Sequence, residues 1–376
     1  MNYELKHFDT PLLRFSLENE GLRGNICKIL WCNEEKTALL PISLKCSDEG
    51  LLCWLRVRTI PKNREYFEAI LASLGLSDHD LEGILNICMG LSLNDCYWVV
   101  VEGFQGTFAE YNLYDNDFSK ALSLIAYTGY GSMKKKGFTS SPEFTTTGML
   151  RKGWRRLGGK TMLYKGGTEG ASNAGNEPYS EFYASQIADV MEIDHVSYTL
   201  SMWKKSLCSV CELFTSKEHS FVPMGYFGNF RDILELSDYL KRLGKHYYDA
   251  FVDMMIFDAV IYNTDRHYGN FGLLVATKNN QPVAMAPVFD NGLGLFPYAV
   301  KEDFDTITTH AKTRSSAFDV SFDEIAKEFI SEKQREGLRK LLNFDFRRDK
   351  NYNLSAERLK ILGRFVRSRA GELLKF

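Results

Sequence analysis

NTDRHYGNFGLLVATKNNQPVAMAPVFD occupies residues 263–290. A polar cluster holding Asp265, Arg266, His267 and Asn270 leads into the apolar run FGLLVA, a turn at KNNQ, and a return through VAMAPVF to Asp290. Two β-rich runs about a short polar turn predict a hairpin. A hairpin folds its ends together, so Asn270 and Asp290 are expected side by side. Two carboxylates and one carboxamide then meet at one end of a small ribbon. These are hard oxygen donors, the set Mg²⁺ takes when phosphate oxygens complete its shell. The chemistry implied is phosphoryl transfer.

The spacing sharpens that expectation. Asp265 and Asn270 stand as D-x-x-x-x-N, the interval at which a kinase catalytic loop presents its base and a metal-binding Asn. Asp290, in FDNG, takes the place of the later metal-binding Asp. The competing reading of the same residues is a turn whose Asp and Asn side chains cap backbone groups.

Length and composition set the frame. A chain of 376 residues predicts two or three domains. Its 44% hydrophobic and 25% charged residues are ordinary for a globular protein. A net charge of −2 carries no broad footprint for nucleic acid or acidic membrane. Local basic runs exist at Lys134 to Lys136 and at Arg151-Lys152 with Arg155-Arg156, and the lysine triplet reads as a solvated face. The N-terminus has no signal-peptide pattern and no apolar run reaches membrane-span length, so a cytoplasmic protein is expected. Among eight cysteines only Cys208 and Cys211 have a C-x-x-C interval, inside an alternating run where buried reduced thiols fit better than a metal site.

Pattern along the chain predicts an α+β protein. Residues 1–115 form a mixed α/β lead domain, with strands at LLRFSL, NICKILWC and LLCWLRVRTI and helices at KNREYFEAILASLG and DHDLEGILNICMG, the latter capped by Ser77 or Asp78. Residues 116–230 read as a β-rich small lobe and 231–376 as a helical large lobe. In the small lobe, Thr145 to Gly148 suit a loop whose backbone N–H groups approach phosphate oxygens. TMLYK follows as a strand on which Leu163 and Lys165 share a face, so Lys165 is the candidate phosphate lysine in preference to Lys160. A lysine on an apolar strand face needs a partner. Glu181 offers one, on a helix line with Ala184, Ser185 and Ala188, small residues that allow close approach. The plainer role for Glu181 is an exposed acid favouring the helix dipole. Glu212 and Phe214 fall where a kinase-like chain crosses between lobes beside the adenine. Asp258, at helical spacing with Phe251 and Met255, is either a support for the loop or an exposed acid. The stretch after Asp290 is long enough to serve as a lid or platform, and the terminal helices carry their Lys and Arg on polar faces.

Over roughly residues 140–376 the chain resembles the HipA-like branch of the protein-kinase-like superfamily, through NTDRHYGNFG, PVFDNG, LYKGG and EPYSEFYASQ. The resemblance implies a two-lobed fold using ATP and Mg²⁺, with Asp265 as catalytic base toward a Ser or Thr hydroxyl. It makes Asn270 and Asp290 the metal ligands and Lys165 the ATP-phosphate lysine. Glu181, Thr147, Gly148, Glu212, Phe214 and His267 complete the nucleotide site. The family's phosphate loop contains a serine subject to autophosphorylation; threonines stand here instead. Some members are toxins that phosphorylate an aminoacyl-tRNA synthetase and are neutralised by a small DNA-binding antitoxin, which implies a protein substrate and an antitoxin-like regulator. A lipid or small-molecule kinase shares the same loop, and a nucleotide-sensing module without turnover is the non-enzymatic alternative.

Overall fold

Apolar residues at every second position build the first sheet. In the structure, a computed structural model, β1 (Asn2–His7), β2 (Thr10–Asn19), β3 (Asn25–Cys32) and β4 (Tyr97–Val101) pair antiparallel in the order β3-β2-β1-β4. All residues are described except 20, 22, 23, 132–136 and 172, so the lysine triplet at 134–136 lies outside the described residues. Tyr3 and Leu5 of β1 face Phe15 and Leu13 of β2, and all four are buried. They pack on Leu51, Trp54 and Leu55 of α1 (Asp48–Val57). That helix corrects the strand expected at LLCWLRVRTI. Its three core residues stand at i, i+3 and i+4, and the Ser47 hydroxyl accepts from Gly50 N as an N-cap.

The chain divides into two compact units, the first formed by residues 1–164, 213–222 and 274–283 and the second by 165–212, 223–273 and 284–376. The first also holds α2 (Phe67–Leu74), α3 (Leu81–Cys88), α4 (Phe108–Tyr111) and α5 (Lys120–Thr128). Ile70, Ile84, Leu122, Ile125 and Phe144 make a second core cluster there. The cap of α3 is Asp80, whose carboxylate accepts from Gly83 N at 2.8 Å, rather than Ser77 or Asp78; Asp78 pairs with Lys62. β5 (Lys152–Leu157) turns through Gly158 and Gly159, both at positive φ, into β6 (Lys160–Gly166), as a two-residue hairpin turn requires.

The second unit takes up the chain at Lys165. Its elements are α6 (Glu177–Met191) and the antiparallel pair β7 (Tyr198–Trp203) and β8 (Ser206–Glu212). β9 (His219–Pro223) precedes α7 (Ile233–Leu243) and α8 (Lys245–Ile261). The hairpin follows as β10 (Gly272–Ala276) and β11 (Gln281–Met285), with Ala286 N donating to Gly272 O at 2.9 Å across its base. Cys208 and Cys211 both lie on β8 and all eight cysteines are free thiols. After Asp290 come α9 (Lys301–Asp305), α10 (Ile307–Lys312), α11 (Phe322–Phe329), α12 (Glu332–Leu341) and α13 (Ala356–Leu373). The architecture is therefore mixed α+β with antiparallel sheets. Arg369 departs from the polar face expected of the terminal helices. It is buried, donating from Nε to Ala259 O at 3.0 Å and pairing with Asp323 at 2.6 Å. No helix among the described residues is long and apolar enough to cross a membrane.

Candidate active site

Burial dictates how the ribbon's base is held. α8 is apolar almost all round, and Asp258 sits within it among buried neighbours. A buried carboxylate needs a cation, and the chain supplies Arg266 eight residues on. Arg266 is 1% exposed, and its five N–H donors are all used. Nε and Nη2 grip Asp258 at 2.8 and 3.0 Å as a two-pronged pair. Nη1 donates to Asn270 O at 3.1 Å and to Phe289 O, and Nη2 donates to Asn291 Oδ1 at 2.6 Å. One guanidinium thus ties the residues at both ends of the hairpin to α8. The helix itself ends at Tyr262, in the left-handed region, and Asn263 then bridges Asp265 N and Asp258 Oδ1.

On this base the predicted residues gather. Asn270 Nδ2 donates to Asp265 O at 2.9 Å and Asp265 Oδ2 at 3.4 Å, which leaves its Oδ1 without a protein partner among the described residues. Lys165 Nζ donates to Glu181 Oε1 at 2.7 Å and contacts Asp290. The side chains of Lys165 and Glu181 are 10% and 1% exposed, and that of Asp290 27%. Glu181 Oε2 accepts from Asn291 N at 2.7 Å, and Ala184, Ser185 and Ala188 on its helix are buried, the small face expected of α6. Asp290 adopts φ +56°, with its N–H donating to Tyr198 OH at 3.2 Å. Lys165, Glu181, Asp265, Asn270 and Asp290 all belong to the second unit.

The electrostatics follow from crowding. Burial alone would push the Lys165 ammonium down, but Asp290 and Glu181 outweigh it and hold it above its ordinary range. Burial and then the Asp290 charge push the Asp265 carboxyl up, against the pull of His267, Lys165 and Arg266. Lys165 and Arg266 face at least four carboxylates, those of Asp258, Glu181, Asp265 and Asp290. This negative excess, with the open Asn270 Oδ1, fits a hard divalent cation. Among the described residues no three His, Cys, Asp or Glu side chains form a ready metal cage, so such an ion would take further oxygens from water or a ligand.

The remaining expected residues are placed singly. His267 is exposed, its Nδ1 accepting from Gly269 N at 3.0 Å. Glu212 is exposed at the end of β8. In the first unit, Phe214 packs edge-on against Phe221, and Thr147 and Gly148 form an exposed turn. Gly148 has φ +92° there, and Lys152 Nζ donates to Thr147 O at 2.5 Å. Sequence reasoning gave no role to Arg266, Asn291 or Tyr198. For Arg266 a signal exists: Asp258 on an apolar helix stripe demands a nearby cation.

Comparisons with known proteins bear on the family and the fold. A serine/threonine-protein kinase of Helicobacter pylori, CtkA, is 29% identical over 138 residues, spanning 33% of this chain and 42% of the relative's length. The crystal structure of that kinase matches 61% of this chain and 90% of its own at 16% identity and a TM-score of 0.49. A HipA, HipB and operator DNA complex from Shewanella oneidensis shares the fold, at 12% identity and a TM-score of 0.51 over 100% of this chain and 98% of the other. The model of the HipA-like C-terminal domain matches residues 151–343, and by that match the chain belongs to the HipA-like family.

Proposed function

We propose that this protein transfers the γ-phosphoryl group of ATP, with Mg²⁺, to a serine or threonine hydroxyl of a protein. In this reading residues 116–230 act as a small lobe, 231–376 as a large lobe, and 1–115 as an additional domain. The observation that carries it is the gathering of Lys165, Glu181, Asp265, Asn270 and Asp290 on one buried, charge-crowded base.

Each residue has a part. Glu181 holds Lys165, whose ammonium serves the α- and β-phosphates. Asn270 Oδ1 and the Asp290 carboxylate would hold Mg²⁺, which would supply charge neutralisation at the phosphates. Asp265 Oδ accepts the proton of the acceptor hydroxyl as its oxygen bonds to the γ-phosphorus, and the bond to the β–γ bridging oxygen breaks to leave ADP. Within the second unit Glu212 borders the base and His267 tempers the charge beside Asp265. Most of the acceleration comes from placement and charge neutralisation.

Incubation of the full chain with γ-labelled ATP and a whole lysate, wild type beside Asp265→Ala, tests the proposal. Label enters protein with wild type alone. Equal labelling by the variant refutes the role of Asp265, and label found in lipid assigns a different acceptor. An antitoxin-like regulator belongs to the same proposal, and co-purification of a small basic partner checks it.

A further inference from the structure

Charged groups drawn into a protein's surface are commonly paired, and the half-buried Arg358, near the start of α13, is an exception. Among the described residues no carboxylate pairs with it. Nη2 donates to the carbonyls of Phe296 and Pro297 at 2.8 and 3.3 Å, while Nε is buried with no partner. The guanidinium lies over the Phe304 ring at 4.5 Å, a contact that attracts the cation without neutralising its charge. Burial pushes its pKa down to about 10, with no acidic group opposing.

Arg358 lines a cavity of about 490 Å³ in the second unit, a volume within the range of ligand sites. Asn173, Asn176, Tyr179 and Asn353 contribute polar walls, and Lys301 adds a second cation, also without an ion pair among the described residues. The floor is built rather than incidental. Pro297 O accepts from Asn176 as well as Arg358, Tyr298 O accepts from Asn173 at 2.7 Å, and the Tyr298 hydroxyl donates to Glu177 at 2.6 Å. Two unneutralised cations at one cavity select a compact, multiply charged oxyanion, to which a guanidinium offers a planar fork of donors.

We propose that this cavity binds a phosphate group, free or carried as a phosphomonoester, at a site separate from the Lys165 cluster. The proposal is independent of the phosphotransfer reading, because it concerns binding alone. Its residues adjoin the first turn of α6, the helix that carries Glu181, so occupancy braces that helix against the Phe296–Tyr298 segment.

The test titrates the full chain with inorganic phosphate and, separately, with a phosphoserine peptide, following binding by phosphorus NMR line broadening and calorimetry. Wild type binds. Arg358→Gln weakens phosphate about tenfold or more, as loss of a charge-assisted contact does, and Lys301→Glu, on the surface, weakens it by a comparable factor. Lys165→Met leaves the affinity within about twofold. Tighter binding of the peptide assigns a phosphorylated chain as ligand, and equal binding a small phosphate. Absence of binding by wild type, loss in Lys165→Met, or undiminished binding in Lys301→Glu overturns the proposal. The last comparison decides even if Arg358→Gln fails to fold.

Discussion

Arg266→Met cuts the knot under the hairpin, and its cost follows from the five donors it removes. Removing one partner of a buried pair strands the other charge, at about 3–5 kcal/mol. Here Asp258 is the stranded group, and Asn270 O, Phe289 O and Asn291 Oδ1 lose their donor as well. A loss in the upper half of that range is expected, or roughly 8–20 °C in melting temperature for a unit of this size. The mechanism makes a second demand. Asp258→Leu combined with Arg266→Met removes both charges, so the double variant must recover about 2 kcal/mol or more relative to the sum of the singles. Urea unfolding of the four proteins measures the cycle, and hydrogen exchange locates the loosening at residues 263–291. A single-variant loss under about 1 kcal/mol, or strict additivity, refutes the clamp.

Other consequences attach to particular groups. Asp290→Ala removes one acid from Lys165 and a proposed metal ligand, so ATP affinity measured with and without Mg²⁺ becomes the same; a persisting Mg²⁺ effect contradicts the assignment. Asp265 has a folded-state pKa above its unfolded value of about 3.9. Such a group contributes stability only while it can hold its proton, and withdraws it as pH rises through the folded value. Asp265→Asn therefore raises the melting temperature at neutral pH, with the gain shrinking below about pH 4; a gain independent of pH contradicts this. Gly148→Ala forces a side chain onto φ +92° and into the Lys152 ammonium, costing about 1–3 kcal/mol. A thermal melt reads the cost, and a higher KM for ATP accompanies it if the turn serves phosphate.

What the sequence disclosed and what it concealed divide along a physical line. Lys165 and Glu181 were legible because each depends on local periodicity, strand alternation for one and a small-residue helix face for the other. The hairpin was legible from its polar turn. α1 was misread because LLCWL is both a continuous apolar run and a helical stripe, and the deciding feature, the Ser47 cap, precedes it. Asn291 and Tyr198 were invisible for a different reason. Their bonds, to Glu181 and Arg266 for one and Asp290 for the other, join segments that only the tertiary fold brings together. Asp258 stood between the two cases: its burial could be read from the apolar stripe, and burial without a cation is untenable. The loop sequence DRH thus sends adjacent side chains to different surroundings, the proposed base and the clamp. Asp265 stays half-buried, where a hydroxyl can reach it, and Arg266 turns inward to hold the frame. Lysine at 266 would keep the charge but not the planar fork, so it cannot bind Asp258, both chain segments and Asn291 at once. The spacing of Asp265, Asn270 and Asp290 alone does not bring them together; the buried guanidinium does.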